Sequence, residues 1–168
     1  VKRLVAVDVC DTLARVNEAI AACLGLGSGW RWTTHDLRPA GVAGPESWFR
    51  RHPEVFAEAV PLPGAQEALD AAASAGREIA YVTARSDWAR LRRWGFPRGE
   101  LVLAVRKAPA CAALGASLAV EDAPDQVRDL RRVVPVRVIG HPYNGSRLTW
   151  RDVGAALCGR RGKFERAP

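Results

Sequence analysis

The sequence predicts an α/β fold: a three-layer sandwich in which helices cover both faces of a central parallel sheet. Two patterns predict it. Five short apolar runs recur along the chain, and the stretches between several of them carry the spacing of amphipathic helices. Unbroken apolar runs suit strands buried on both faces, and alternation with helices makes those strands parallel. A third observation is a Gly- and Pro-rich interruption after the first run, which predicts a small insert above the sheet.

The first strand is expected at residues 3–9 (RLVAVDV), a β-branched run carrying an aspartate near its end. Runs of the same character follow at 78–83 (EIAYVT), 101–105 (LVLAV), 117–121 (SLAVE) and 136–140 (VRVIG). A helix over 64–76 places Ala65, Ala68, Leu69, Ala72 and Ala73 on one face and stops at Gly76. A second, over 86–95, opens on Ser86-Asp87 as an N-cap pair and closes at Gly95. Residues 124–133 begin with proline in a first-turn position, and 149–157 form a last helix. Residues 26–63 break this rhythm with nine glycines and prolines and three of the six tryptophans, Trp30, Trp32 and Trp48. They predict loop and short helices over the sheet. The expected division is a core of residues 1–16 and 62–157, an insert of 17–61, and a basic end at 158–168 without a packing pattern.

At 168 residues the chain is one domain, long enough to bury about two-thirds of the surface its unfolded form exposes. With 48% hydrophobic and 26% charged residues, the balance excludes wholesale disorder. No window approaches 18 apolar residues, so no membrane-spanning helix is expected, and the stretch before Asp8 is too short for a signal peptide. The cysteines, Cys10, Cys23, Cys111 and Cys158, form no CxxC pair and no finger spacing with histidine, which argues against a zinc site or a disulfide framework and for a reducing cytoplasm. A net charge of +7 suits an anionic ligand, from nucleotide to nucleic acid, and serves solubility equally well. Arginine carries the bias, with only three lysines: Lys2, Lys107 and Lys163.

Ligands of open parallel sheets bind beyond the carboxyl ends of the strands. The first run ends at Asp8, followed by Val9-Cys10-Asp11-Thr12-Leu13. The second ends at Thr83-Ala84-Arg85, Lys107 lies just past the third, and the fourth ends at Glu121-Asp122. Taken singly, Thr83 reads as a strand-end threonine, Lys107 as a solvated lysine and Glu121-Asp122 as an acidic turn before a helix. Asp8 is harder to dismiss, because a carboxylate ending an apolar strand is costly unless paired. Together they bring acids, a hydroxyl and a lysine to one rim. Acids on separate strands repel unless a cation joins them, and an all-oxygen site of this kind suits Mg²⁺. Nucleophile, charge clamp and oxygen donors are what phosphoryl transfer to an aspartate needs.

In order and type, Asp8-Val9-Cys10-Asp11-Thr12-Leu13, Thr83, Lys107 and Glu121-Asp122 resemble the four motifs of the haloacid dehalogenase (HAD) superfamily. Within it, the small 5'-nucleotidases (5'(3')-deoxyribonucleotidases) are resembled by Pro61-Leu62-Pro63-Gly64-Ala65, Tyr81-Val82-Thr83-Ala84-Arg85, Arg93-Trp94, and His141-Pro142-Tyr143-Asn144 with Arg147 and Trp150. The resemblance covers residues 3–153 and implies a HAD-type Rossmannoid core with a small cap between the first two motifs. It implies that Asp8 attacks phosphate to form an aspartyl-phosphate, that Thr83 bonds the phosphate oxygens and that Lys107 neutralises charge. Mg²⁺ would sit on the Asp8 carboxylate, the Cys10 carbonyl and Asp122, with Glu121 near. Thr12, Ala84 and Arg85 would line the phosphate site, and Trp30, Trp32, Trp48 or Phe49 would cover the leaving group, unless these rings form a small cap core. Base stacking on such a ring is worth roughly 1–3 kcal/mol.

One position departs from the pattern. The family's second aspartate, which protonates the leaving alcohol and then activates water, is Cys10 here. A thiol is a poor substitute for a carboxyl group, and loss of a general acid costs roughly 10²–10⁴ in rate. Asp11, where the pattern has glycine, is the adjacent candidate substitute, though neighbouring side chains point different ways. The expected function is an Mg²⁺-dependent phosphohydrolase acting on a nucleotide or similar small phosphomonoester. The alternatives are a nucleic-acid-end phosphatase, a HAD enzyme of different chemistry, and a catalytically reduced binding or accessory protein.

Overall fold

The computed structural model describes residues 3–159 except Ser28, Ser86 and Asp87, and only the backbone of 88–90. The Ser86-Asp87 cap and the end from residue 160 therefore lie outside the described residues. The elements run β1 (Leu4–Val7), α1 (Val16–Cys23), a 3-10 turn (Arg38–Ala40), α2 (Pro45–Arg51), α3 (Glu54–Glu58), α4 (Ala65–Ser74), β2 (Glu78–Thr83), α5 (Trp88–Arg93), β3 (Glu100–Leu103), α6 (Lys107–Leu114), β4 (Leu118–Glu121), α7 (Pro124–Leu130), β5 (Val136–Val138) and α8 (Trp150–Leu157).

The five strands form one all-parallel sheet in the order β3-β2-β1-β4-β5. The chain winds outward from β1 through β2 to β3, then crosses to the other side of β1 for β4 and β5. The β1/β4 junction is thus the switch point, where a crevice opens beyond the strand ends. Alternation along each strand splits the core in two. Val5, Val7, Ile79, Tyr81 and Val120 face α4 and α8, where Leu69, Trp150, Val153 and Leu157 are buried. Ala6, Ala80, Val82 and Ala119 face the other way, with Cys111 of α6 and Leu130 of α7. Ala6 lies in register with both Ala80 and Ala119, so three alanines make a low seam across the strands beneath α6 and α7.

Strands β1, β3 and β5 stop short of the ends of their apolar runs, because chain beyond the last ladder bond turns away into the rim. The third strand begins at Glu100 and ends at Leu103 rather than reaching 105, and α7 stops at Leu130 rather than 133. Helix α6, KAPACAAL, has too little contrast between its faces to announce itself, and its Pro109 is tolerated because it falls in the first turn. Gly76 (φ 81°) does end α4, and α8 opens on a reciprocal Thr149–Asp152 capping box.

Between β1 and α4 the chain leaves and returns through one neck. Ala14 bridges Pro61, Arg15 N donates to Val60 O at 2.9 Å and Leu62 N donates to Leu13 O at 2.7 Å. Beyond the neck, Val16, Ile20, Val42, Trp48, Phe49 and Val55 form a separate buried cluster. No helix among the described residues is long and apolar enough to cross a membrane.

Helices α4 and α8 meet at Gly154, where an added Cβ would come 2.9 Å from the Ala68 Cβ. Gly154→Val is therefore expected to lower unfolding free energy by about 1–3 kcal/mol in a urea titration, with the far-ultraviolet dichroism of the fold retained.

Candidate active site

Strand β1 delivers Asp8 to the rim in a buried position, its backbone N–H donating to Val120 O at 3.0 Å across the switch point. The chain then curls on itself. Leu13 and Ala14 N–H groups both donate to Val9 O, and Asp11 N donates to Ala14 O at 2.7 Å. Asp11 holds this curl at φ 55°, a left-handed conformation that aspartate tolerates better than most residues. Its Oδ1 accepts from Asn17 N at 2.9 Å, in the first turn of α1. The Asp11 carboxyl is thus tied to that helix, an anchoring the sequence pattern did not reveal. Burial, with the Asp122 charge second, pushes its pKa well above the ordinary carboxylate range.

Lys107 begins α6, and its ammonium is buried between two carboxylates, 2.6 Å from Asp8 Oδ1 and 2.6 Å from Glu121 Oε2. Burial alone would lower its pKa, but the charges of Asp8 and Glu121 outweigh burial and hold it above the usual lysine range. Glu121 ends β4, and its Oε1 accepts from the backbone N–H groups of Asp122 (3.0 Å) and Ala123 (3.1 Å). Burial, and next the Asp8 charge, push its pKa up to about 8. Asp8 is also raised, first by burial. Asp122 takes one hydroxyl on each oxygen: Thr12 donates to Oδ1 at 2.5 Å and Tyr143 to Oδ2 at 2.6 Å.

The loop between β5 and α8 fastens these parts together. Asn144 Nδ2 donates to Asp122 O and Ile139 O, each at 2.9 Å, while its Oδ1 accepts from His141 N and Ser146 N, each at 3.0 Å. His141 Nε2 lies 2.6 Å from Asp11 O, so that nitrogen carries the proton. Trp150 Nε1 donates to Thr12 O at 2.6 Å, and Tyr143 stacks on His141 with centroids 5.0 Å apart. In the sequence these residues carry no role beyond their part in the resemblance; polar side chains clustered between a strand and a capped helix are the signal that could reveal them.

Thr83 ends β2 in a buried position, and its Oγ1 accepts from Arg85 N at 3.3 Å. Cys10 is half-buried, and burial above all pushes its thiol up to about 12. Cys10, Thr83 and Arg85 line a tight space of about 30 Å³ with Val9, Phe56 and Trp94. The Arg85 guanidinium lies over the rings of Phe49 (3.8 Å) and Phe56 (4.8 Å), joining the rim to the insert. Ala84 is exposed beside it. Trp30 and Trp32 meet edge to face at 5.8 Å and wall a cleft of about 460 Å³ that also holds Asp11, Leu62, His141 and Tyr143. Trp48 is buried in the insert against Phe49 and His52 and lines neither space.

Asp8, Glu121 and Asp122 each offer an oxygen within 4.8 Å of the others. Three buried carboxylates face one ammonium, an all-oxygen donor set in charge excess that fits a hard divalent cation such as Mg²⁺.

No protein-family model matches this sequence, and no curated protein is similar to it. Solved structures are. An L-2-haloacid dehalogenase from Xanthobacter autotrophicus superposes with a TM-score of 0.58 at 15% identity, over 95% of this chain and 83% of that one. CbbY from Rhodobacter sphaeroides, solved with phosphate, gives 0.56 at 18% identity over 87% and 90%. A HAD-superfamily hydrolase of subfamily IA from Geobacter sulfurreducens gives 0.55 at 17% over 93% and 96%. The chain has the fold of these hydrolases. Its five-stranded all-parallel sheet flanked by helices is the HAD-type Rossmannoid architecture.

Raised carboxyl pKa values make the folded state hold protons that the unfolded chain releases. For Glu121 that stabilisation is complete below about 4.5 and is lost as pH rises through about 8. Metal-free protein is thus expected to lose stability between those limits in thermal melts, and millimolar Mg²⁺ is expected to flatten the loss. Equal melts at both ends without metal would contradict the buried carboxyl group.

Proposed function

We propose that this chain is an Mg²⁺-dependent phosphohydrolase acting on a nucleotide or similar small phosphomonoester through an aspartyl-phosphate at Asp8, as in the small 5'-nucleotidases. The observation that carries the reading is Lys107 held between Asp8 and Glu121 at 2.6 Å from each. That ammonium keeps the nucleophile oriented, and it stands ready to neutralise phosphate oxygens as charge shifts onto them. Mg²⁺, held by Asp8, the Cys10 carbonyl and Asp122 with Glu121 near, would supply electrophilic charge at the phosphate. Thr12 and Tyr143 fix the Asp122 carboxylate from both sides, so its orientation is set before substrate arrives. Thr83, at the end of the neighbouring strand, offers a hydroxyl to the phosphoryl oxygens, and Arg85 adds a positive wall. Residues 17–61 act as a cap, and Trp30 and Trp32 offer the leaving group aromatic faces. Four free cysteines suit a reducing, cytoplasmic setting.

Cys10 sets the limits of this chemistry. A thiol pushed up to about 12 neither protonates an alkoxide well nor activates water near neutrality. The substrate is therefore one whose leaving group departs with little protonation, and hydrolysis of the aspartyl-phosphate is the slow step. The +7 charge supports a second reading, a phosphatase of nucleic-acid ends, for which binding would fall steeply with added salt.

Phosphate release is to be measured over a panel of nucleoside monophosphates, sugar phosphates and 5'- and 3'-phosphorylated oligonucleotides. Turnover is expected to require Mg²⁺ and to fall to background in Asp8→Asn; activity surviving that change would refute the nucleophile. Cys10→Asp is expected to raise kcat by about 10²–10⁴-fold. A variant no faster than the native protein would mean that another group already does the acid's work.

A further inference from the structure

We propose that the 17–61 insert carries a zinc site, made by Cys23, His52 and Glu54 and distinct from the carboxylate cluster at Asp8. Cys23 ends α1, His52 closes α2, and Glu54 opens α3, so three elements send different donors to one point. Cys23 Sγ lies 3.7 Å from His52 Nδ1 and 3.7 Å from Glu54 Oε1, and His52 Nδ1 lies 2.9 Å from the same Oε1. One atom of each residue forms the triangle.

Those edges are close to one face of a zinc tetrahedron. Bond lengths of about 2.3 Å to sulfur and about 2.0–2.2 Å to nitrogen and oxygen put sulfur about 3.6 Å from each of the others, and nitrogen and oxygen about 3.4 Å apart. Only the His52–Glu54 edge must open, as it would when a shared proton gives way to a metal. The imidazole is already oriented, since Trp48 stacks on it at 4.4 Å and His52 N donates to Trp48 O at 3.0 Å. Thiolate, imidazole and carboxylate together select Zn²⁺ over Mg²⁺, in contrast to the all-oxygen set at Asp8. Binding displaces the Cys23 proton and leaves the neutral imidazole with its proton on Nε2, so that Nδ1 offers its lone pair. With three protein donors, the fourth position falls to water. The open side borders a cleft of about 460 Å³ between α1 and α3 that holds Arg15, Glu18 and Glu58 besides Cys23 and Glu54. The ion would tie the end of α1 to the α2–α3 turn. Spacing did not reveal it, because Cys23 stands 29 residues from His52 in the chain.

The test is titration of the metal-stripped full chain with Co²⁺ and then Zn²⁺, followed by absorption. One Co²⁺ per chain is expected to give a thiolate-to-metal charge-transfer band that persists in excess Mg²⁺ and is removed by one equivalent of Zn²⁺. The band is expected to vanish in Cys23→Ser, a change at an exposed position, and affinity to fall at least about tenfold in His52→Ala. Co²⁺ at the Asp8 carboxylates would lack a sulfur band. Absence of the band, or its survival in Cys23→Ser, would overturn the site.

Discussion

The buried ammonium of Lys107 is the interaction on which the rest of this structure depends. Asp8, Glu121 and Asp122 come from two adjacent strands and converge in a buried crevice, where like charges repel and burial favours the neutral forms of Asp8 and Glu121. Lys107 is the counter-charge that touches two of them directly. Its position follows from the fold. The alanine seam of Ala6, Ala80 and Ala119 leaves room for α6 to lie close against the sheet, and α6 begins with this lysine at the strand ends. A bulkier seam would lift the helix and withdraw the charge. A low sheet surface beneath the helix thus sets the electrostatics at the rim.

Much of this was legible in the sequence, and the reasons differ by residue. Strands could be read because apolar, β-branched runs mark them; β2 and β4 end where their runs end, and β2 was expected at its observed span, 78–83. Asp8 stood out because an apolar strand does not end on a carboxylate without cause. Helix α6 was missed because KAPACAAL has no polar face to contrast with an apolar one. The tie between Asp11 and Asn17 was missed because it depends on a left-handed residue, a backbone state that composition does not encode. The tryptophans of the insert could not be sorted in advance. Trp48 fills its core, whereas Trp30 and Trp32 wall a cleft, and aromatic residues suit both tasks equally.

The curl after β1 and the loop before α8 behave as one unit. His141 holds the Asp11 carbonyl, Trp150 holds that of Thr12, and Asn144 holds that of Asp122. Three residues near the end of the chain therefore clamp backbone from two other segments of the site. Such clamping is what electrostatic catalysis needs, because dipoles and charges that are already fixed require no reorganisation during reaction. Against that rigid background Cys10 is the exception. On the proposed reading, the scaffold that would form an aspartyl-phosphate is assembled, while the position that would speed its formation and hydrolysis holds a neutral thiol.

The most direct test of this account is to mix the protein with Mg²⁺ and a phosphomonoester, quench in acid and map the adduct by peptide mass spectrometry. The account predicts a phosphoryl group on the peptide carrying Asp8, acid-stable and cleaved by hydroxylamine, accumulating because its hydrolysis is slow. No adduct with a substrate that is turned over, or an adduct on Cys10 or any residue other than Asp8, would contradict it.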